Sequence, residues 1–380
     1  MRGGRTIINS KANPFISTWK TDNLSAGSSA ANQIKIPSNP NSSFNCIIYW
    51  GDGTNSNITS STQSDLTHTY ASAGTYNVTM SGYVGNIRFA NGGDKLKIID
   101  ISQWGSLKIA AGGSQFYGCS NLTLNNISDT PNLYSKNASL PGVSASIAAM
   151  FRSCSLLVTI SRLDQWDTSK VGYMGQTFYI NDKFDQNIGN WNTSQVSDMQ
   201  FTFAVPAPYI SAFNNGGSPT INNWDTSNVN NMYAMFSQAN SFNQNIGNWN
   251  TSKVTNMAYM FQARSFNNGG SPTINNWDVS KVTNMSRMFQ ISGSKFDQPL
   301  NNWNISNVTD FINFMSDSGY ANTYSVENYT NLLIGWASKP VKPNISINFS
   351  QNKYTAAASA SRAILTSAPN NWTIADGGLI

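Results

Sequence analysis

Charge is scarce in this chain. Only 11% of its 380 residues are Asp, Glu, Lys or Arg, against roughly 25% in an average soluble domain. No run of basic residues occurs, so a surface that tracks nucleic-acid phosphates is not indicated. No stretch approaches the roughly 20 consecutive apolar residues of a membrane span, and the basic N-terminus lacks the apolar segment of a signal peptide. The sequence therefore predicts no nucleic-acid binding and no membrane insertion.

Residues suited to acid–base or metal chemistry are equally scarce. The chain holds one histidine, His68, and one glutamate, Glu327. A Ser-His-Asp or Cys-His arrangement would have to use His68, and a site with two histidine ligands would need a second chain. Neither a phosphate-binding glycine loop nor a Cys/His metal spacing occurs. We therefore expect a protein that is not an enzyme, with no catalytic residues, no cofactor and no metal.

The remaining composition favours a folded protein with a neutral surface. Hydrophobic residues make up 39% of the chain and aromatic residues 12%, which is enough to build a core. Solubility comes from Asn, Ser, Thr and Gly, and such a surface suits an extracellular or particle-surface protein. The three cysteines, Cys46, Cys119 and Cys154, are an odd and sparse set, so they do not indicate a disulfide framework.

Six copies of the pattern Trp-Asp/Asn-x-Ser-x-Val dominate the middle of the chain. Each Val is followed three residues later by Met or Phe, and then by a second Met/Phe position. A unit of about 25 residues cannot bury its own apolar side chains, but stacked units form one continuous core. The pattern predicts a solenoid over residues 96–320 in which Trp249, Val254, Met257 and Phe261 and their equivalents are buried. The copies begin at Trp166, Trp191, Trp224, Trp249, Trp277 and Trp303.

The local pattern within a unit predicts its secondary structure. Residues 242–249 favour a short strand and a turn, and the apolar spacing of residues 254–261 favours a helical turn on the opposite side. The residue after each Trp is Asp in three copies and Asn in three, so this position needs a side-chain oxygen and not a charge. We expect an Asx turn onto the backbone near Ser169 and its equivalents. This argues against catalysis or calcium binding by these aspartates.

The repeats also resemble a known family. Residues 242–261, Phe-Asn-Gln-Asn-Ile-Gly-Asn-Trp-Asn-Thr-Ser-Lys-Val-Thr-Asn-Met-Ala-Tyr-Met-Phe, resemble the BspA-type leucine-rich-repeat surface proteins of Bacteroidetes and mycoplasmas. The resemblance is most specific over residues 144–318. Two earlier units, beginning at Phe116 and Phe151, show the Phe-x-x-Cys-x-x-Leu form of related repeats. The resemblance implies a leucine-rich-repeat-like solenoid in which Cys119 and Cys154 are small core residues.

Residues 13–95 carry strand signals without the repeat. The turn Trp50-Gly-Asp52-Gly precedes His68-x-Tyr70 and a Gly-x-Tyr strand, and this order resembles a PKD-type β-sandwich. The strand-like segments at residues 15–20 and 33–36 would complete the sheet. The resemblance implies that His68 packs and forms hydrogen bonds. A calcium role for Asp52 stays open.

Residues 321–380 leave the repeat and form a predicted C-terminal cap. Ser325 is expected to begin a helix that continues through Trp336, and Thr355 a second, Ala-rich helix through Leu365. Residues 371–374 read as a last strand. Such a cap is needed because a solenoid otherwise ends in an exposed apolar face. The predicted fold is mainly β with short helices: an N-terminal PKD-like β-sandwich, a leucine-rich-repeat-like solenoid and a C-terminal capping segment.

The fold leaves the function open. The hypotheses differ in the route by which the protein leaves the cell. A secreted adhesin needs a signal peptide, whereas a phage protein assembles in the cytoplasm and leaves by lysis. We predict a recognition or adhesion protein on a phage virion surface, acting in receptor binding or particle decoration. The alternatives are a secreted bacterial surface adhesin and a purely structural capsid or tail component. Expected partners are a cell-surface glycan or protein, neighbouring virion proteins through the arm at residues 1–12, and further copies of the chain.

Binding residues are expected where one repeat departs from the others. The 33-residue gap between Trp191 and Trp224 carries an insertion, and loops on a rigid scaffold commonly carry function. Aromatic residues and Arg at variable repeat positions would add a binding surface, because both are enriched in hot spots. The alternative for Tyr209 is that it covers a gap made by the longer repeat. The candidates are Pro206, Pro208, Tyr209, Tyr233, Tyr259, Arg264 and Arg287.

Overall fold

The computed structural model describes residues 13–109, 112–133, 145–316 and 324–380. These residues are mainly β, with only two short α-helices among them, as the sequence predicts. The arm at residues 1–12, expected to contact neighbouring virion proteins, lies outside the described residues.

A five-stranded antiparallel sheet forms the N-terminal region. Its strand order is β4-β3-β6-β1-β7, and a separate two-stranded sheet pairs β2 with β5. The five-stranded sheet continues past residue 95, where the sequence pattern placed the end of the region, because β7 pairs with β1. The strands are β1 Phe15–Lys20, β2 Gln33–Lys35, β3 Asn45–Tyr49, β4 Asn55–Ile58, β5 Thr67–Thr69, β6 Thr75–Tyr83 and β7 Ile98–Gln103.

A buried ion pair ties the connection between β1 and β2 to this sheet. Lys97 Nζ lies 3.5 Å from the Asp94 carboxylate, and both side chains are inaccessible to solvent. The ammonium also donates hydrogen bonds to the carbonyl oxygens of Ser29, Ala30 and Gln33. Burial lowers the pKa of Lys97, and the neighbouring Asp94 opposes that shift. The pair is tolerated in the core because every remaining donor finds a partner.

The repeat units stack in parallel, one above the next. Short parallel strands begin the stack, and further along it each unit contributes a single bridging residue. The strand expected at residues 242–249 is therefore wrong, and the bridges lie after the Val of each unit. The strands are β8 Lys108–Ile109, β9 Asn132–Leu133, β10 Ala145–Ser146 and β11 Val171–Tyr173. The bridging column runs through Tyr173, Asp198, Asn231, Asn256, Asn284 and Asp310.

A left-handed residue follows each bridge at a fixed distance. Three residues after the bridging position φ is positive, between 51° and 61°, in six successive units. The helical turn expected at residues 254–261 is wrong for this reason, because a left-handed residue interrupts a right-handed helix. A tight turn takes its place, in which the N–H of Met260 donates to the carbonyl oxygen of Met257. The left-handed residues are Gln176, Phe201, Ala234, Tyr259, Arg287 and Asn313.

The apolar ladders predicted from the repeat are buried. Trp249 is 3% exposed, and Val254, Met257 and Phe261 are at most 1% exposed. The indole N–H of Trp249 donates to the carbonyl oxygen of Ile221 in the preceding unit, at 2.9 Å. Trp191, Trp224, Trp277 and Trp303 each donate the same hydrogen bond to a carbonyl oxygen of the preceding unit. The tryptophans therefore fill the core, and each indole adds a second hydrogen bond to a carbonyl oxygen that already accepts one from a backbone N–H.

Short and long units alternate in the middle of the stack. The short units carry Ile-Gly-Asn before Trp, and the long units carry Gly-Gly-Ser-Pro-Thr-Ile. A side-chain carbon on Gly247 would lie 1.8 Å from the Thr273 hydroxyl of the next long unit. The buried Asn268 accepts a hydrogen bond from the N–H of Ile246. Each long unit thus fits only over a short unit with glycine at this place.

The C-terminal segment ends the stack with two helices and short parallel strands. The Ser325 hydroxyl accepts a hydrogen bond from the N–H of Asn328 at the start of α1, as the sequence predicts. Thr355 makes no such bond, and a 3-10 turn precedes α2. The indole of Trp336 donates to the carbonyl oxygen of Leu300, which continues the tryptophan ladder. The elements are α1 Val326–Ala337, β12 Ser346–Asn348, β13 Lys353–Tyr354, α2 Ser359–Thr366, β14 Thr373–Ala375 and β15 Gly378–Leu379.

Candidate binding site

A groove of about 310 Å³ lies beside the insertion on one face of the stack. Its lining includes three of the residues proposed from the sequence: Pro206, Tyr233 and Tyr259. Tyr179 and Phe201 also line it, together with small and amide side chains. No charged side chain lines the groove. An uncharged, aromatic concavity of this kind is typical of a ligand site.

Four aromatic side chains from successive units form a continuous line, which we call the tyrosine row: Tyr179, Phe201, Tyr233 and Tyr259. Their ring centroids are separated by 5.1, 5.0 and 5.6 Å in that order. The ring planes are inclined to one another by 49° to 75°. Tilted and edge-to-face geometries of this kind are favourable for aromatic pairs, so the row is a fixed platform.

The local turn explains why bulky aromatics stand here. Phe201 and Tyr259 occupy the left-handed position of their units, and Tyr233 precedes that position by one residue. All three side chains are half-buried, whereas the Met and Phe positions around them point into the core. The turn therefore presents one partly exposed side chain per unit beside the ladder.

Two arginines extend the tyrosine row at its ends. The Arg287 guanidinium lies 5.5 Å from the centroid of the Tyr259 ring. At the other end, Arg152 lies 4.9 Å from the Tyr179 ring and 4.6 Å from the Tyr117 ring. Neither guanidinium pairs with a carboxylate of the described residues. Both stacks are cation–π contacts, which hold the charged groups at the ends of the row.

The side chains around the Tyr233 phenol shift its pKa. Burial raises the pKa of Tyr233, and the neighbouring Tyr259 and Tyr179 add to the shift. Arg287 opposes it. The hydroxyl therefore stays neutral at physiological pH and remains available as a hydrogen-bond donor.

The other candidate residues lie away from the groove lining. Tyr209 is 56% exposed, and its N–H donates to the carbonyl oxygen of Pro206. This exposure does not support the alternative that Tyr209 covers a gap in the packing. Pro208 is exposed on the same insertion, and Arg264 is exposed and does not line the groove. Sequence reasoning missed Tyr179, Phe201 and Arg152, because Tyr179 and Phe201 lie at different distances after the Val of their units and no common spacing marks them.

His68 and Asp52 form a pair in the N-terminal region. His68 Nε2 lies 2.7 Å from Asp52 Oδ2, and the Asp52 Oδ1 accepts hydrogen bonds from the N–H and hydroxyl of Thr54. The His68 ring stacks on Trp50 with a centroid separation of 4.9 Å. Both carboxylate oxygens are thus engaged within the protein. Across the described ranges, no group of three His, Cys, Asp or Glu side chains is placed to hold a metal ion.

The cysteines and the helices add no further site. All three cysteines are buried and free. Burial raises the pKa of Cys46 to about 11 and also raises the pKa of Cys119 and of Cys154, so none is a reactive thiolate. No helix in the described part of the chain is long and apolar enough to cross a membrane.

One family matches the repeat region. Residues 145–215 and 209–329 match the family described as "Mycoplasma protein of unknown function, DUF285". Together these ranges cover a little less than half of the chain, and they exclude the N-terminal sheet. The match supports the similarity of this region to BspA-type repeat proteins. Neither the curated proteins nor the solved structures contain a match to the chain.

Proposed function

We propose that this chain is a non-enzymatic recognition protein displayed on the surface of a phage virion. In this proposal a PKD-like β-sandwich and a C-terminal cap close the two ends of a leucine-rich-repeat-like solenoid. The parallel bridges from unit to unit and the tryptophan ladder support the solenoid. The two-sheet arrangement of the N-terminal strands supports the sandwich.

The observation that carries the proposal is the tyrosine row. Aromatic side chains supply large contact areas at low cost in conformational entropy, and aromatics and Arg dominate binding hot spots. The row stands on a stack whose core side chains are almost fully buried, so its geometry is set before a ligand arrives. Pre-organisation of this kind favours binding. The tyrosine row would meet a glycan or protein on the host cell.

A bacterial surface adhesin is the second candidate. The description of the matching family as a mycoplasma protein favours it. Both candidates use the same groove, and they differ in whether the protein is carried by a particle or by a cell. Immunogold labelling of purified particles and of intact cells separates the two.

Binding itself is tested with the labelled chain on host cells. The double variant Tyr233→Ala/Tyr259→Ala should bind at least about tenfold more weakly, since hot-spot truncations commonly cost more than 1.4 kcal/mol. Tyr49→Ala, an exposed tyrosine of the N-terminal sheet, is the matched control and should bind normally. Undiminished binding by a folded double variant would refute the tyrosine row as the site. Absence of cell binding by the unmodified chain would favour a purely structural role.

A further inference from the structure

We infer that the ligand of the tyrosine row is a linear polysaccharide that carries carboxylate groups and lies along the axis of the stack. This inference rests on the proposed function and specifies its ligand. It draws on the shape of the row, the chemistry of the groove and the charges at the two ends.

The shape of the row favours a linear polymer. Consecutive units of the stack add one ring each, and the rings follow one another at 5.0 to 5.6 Å. From Arg152 to Arg287 the row crosses five steps between units, or roughly 24 Å at the usual spacing of neighbouring strands. A compact ligand would touch only two or three of these side chains. An extended chain with its own short repeat would touch all of them.

The lining of the groove favours sugar rings. The C–H groups on one face of a sugar carry partial positive charge, and the π face of an aromatic ring is negative. Ser237, Gln238 and Gln262 line the same groove. Hydroxyl and amide groups both donate and accept hydrogen bonds, as sugar hydroxyls require. The groove thus offers stacking surfaces with neutral polar groups beside them.

The charges at the ends favour carboxylates on that polymer. Neither Arg152 nor Arg287 has a carboxylate partner among the described residues, and Arg152 Nη1 donates a hydrogen bond to the side-chain oxygen of Gln176. A guanidinium matches a carboxylate with two parallel hydrogen bonds. No acidic side chain lines the groove to repel such a ligand. The complementarity is local to the two ends, and the groove between them is uncharged.

A single-stranded nucleic acid fits this surface less well. Binding of a nucleic acid without sequence preference combines stacking with a positive groove that follows every phosphate. Here no cationic side chain lines the groove between the two arginines. If bases stacked on the central rings, the phosphates between them would have no counter-charge.

The test measures binding of the full chain to two soluble oligosaccharide series, one in which neutral residues separate the uronate residues and one of neutral β-linked glucose. We expect the affinity for the uronate series to rise with length and then level off, and to fall as salt is added. Arg287→Gln should weaken uronate binding about tenfold and reduce its salt dependence, with little change for the neutral series. Arg162→Gln, an exposed arginine whose guanidinium donates a hydrogen bond to Gln165, is the control. Tyr233→Ala should weaken binding to both series.

Four results would overturn the inference. Equal affinity for the two series, with no effect of Arg287→Gln, would show that carboxylate groups on the ligand do not contribute to binding. If a single-stranded oligonucleotide binds more tightly than any uronate oligosaccharide, the ligand is a nucleic acid and not a polysaccharide. If protease treatment of host cells abolishes binding through the tyrosine row while periodate treatment does not, the ligand is a protein and the proposed function still stands. Cell binding that survives Tyr233→Ala/Tyr259→Ala would remove the site and the inference together.

Discussion

The N-terminal sheet and the repeat stack satisfy their polar groups in different ways. The sheet region contains three ion pairs, including the buried pair Lys97–Asp94 and the pair His68–Asp52. Within the described residues 145–316 there is no ion pair. The stack instead repeats neutral contacts, such as the bond from the N–H of Asn243 to the side-chain oxygen of Asn214. A contact made once tolerates charge, whereas these contacts repeated in register carry charge only in units that are not neighbours.

The distribution of Asp and Asn shows why. Each residue after a repeat Trp accepts a hydrogen bond from the N–H two residues later, so the expected Asx turns are confirmed in all six units. Asp and Asn alternate strictly along this column. In the bridging column the aspartates Asp198 and Asp310 are separated by three asparagines. Stacked units lie about 4.8 Å apart, and like charges at that distance repel.

The largest expected effect concerns the stack. Trp249→Ala should lower the free energy of unfolding by about 3 to 5 kcal/mol through the cavity, while the carbonyl oxygen of Ile221 keeps the hydrogen bond that it accepts from the N–H of Trp224. Equilibrium denaturation measures the change. Trp249→Phe keeps a ring in the ladder and should cost less than half as much. A loss below about 1 kcal/mol for the alanine variant would contradict the packing role of the tryptophan ladder.

The ion pair of the sheet region comes next. Lys97→Met should cost about 3 to 5 kcal/mol, because the Asp94 carboxylate remains buried without its cation. The same denaturation experiment applies. Lys35→Met, on the neighbouring strand β2 and largely exposed, should cost less than about 0.5 kcal/mol. Similar losses for the two variants would show that the buried charge is not what stabilises this region.

Acid should weaken the sheet region through Asp52. Burial raises the pKa of this carboxyl, but hydrogen bonds from Thr54 and His68 outweigh burial and lower the pKa to about 2. The unfolded chain titrates near 3.8, so the stabilisation is present above about pH 4 and is lost as the pH falls to about 2. Asp52→Asn should cost about 1 to 2 kcal/mol at pH 7 and flatten this change. An unchanged pH profile in Asp52→Asn would refute the assignment.

The smallest effect tests the avoidance of charge in the stack. Asn250→Asp places three aspartates in consecutive units, because Asp225 and Asp278 lie on either side. We expect a loss of about 0.5 to 1 kcal/mol that added salt reduces. In the background Asp225→Asn/Asp278→Asn the same change should cost almost nothing. Equal costs in both backgrounds would mean that charge repulsion does not explain the alternation.

Much of the architecture follows from the sequence because the same residue recurs in the same setting. The burial of Trp249 and Cys119, the Asx turns and the start of α1 at Ser325 were all predicted from such patterns, and each is confirmed. The secondary structure within a unit was predicted wrongly. The apolar spacing around Met257 resembles a helix, but the left-handed Tyr259 bends the chain and turns the same side chains into the core.

What the sequence by itself determined is the core: its period, its apolar ladders and the places that need an uncharged side-chain oxygen. These features follow from the recurrence of the same residue types at the same position of each unit, since every unit packs against similar units above and below it. Only the tertiary structure decided the candidate site. Tyr233 and Tyr259 stand at different positions of their units, and yet their rings are 5.6 Å apart. Contact between units depends on how each turn directs its side chain across the stack, and no spacing within one unit records that direction.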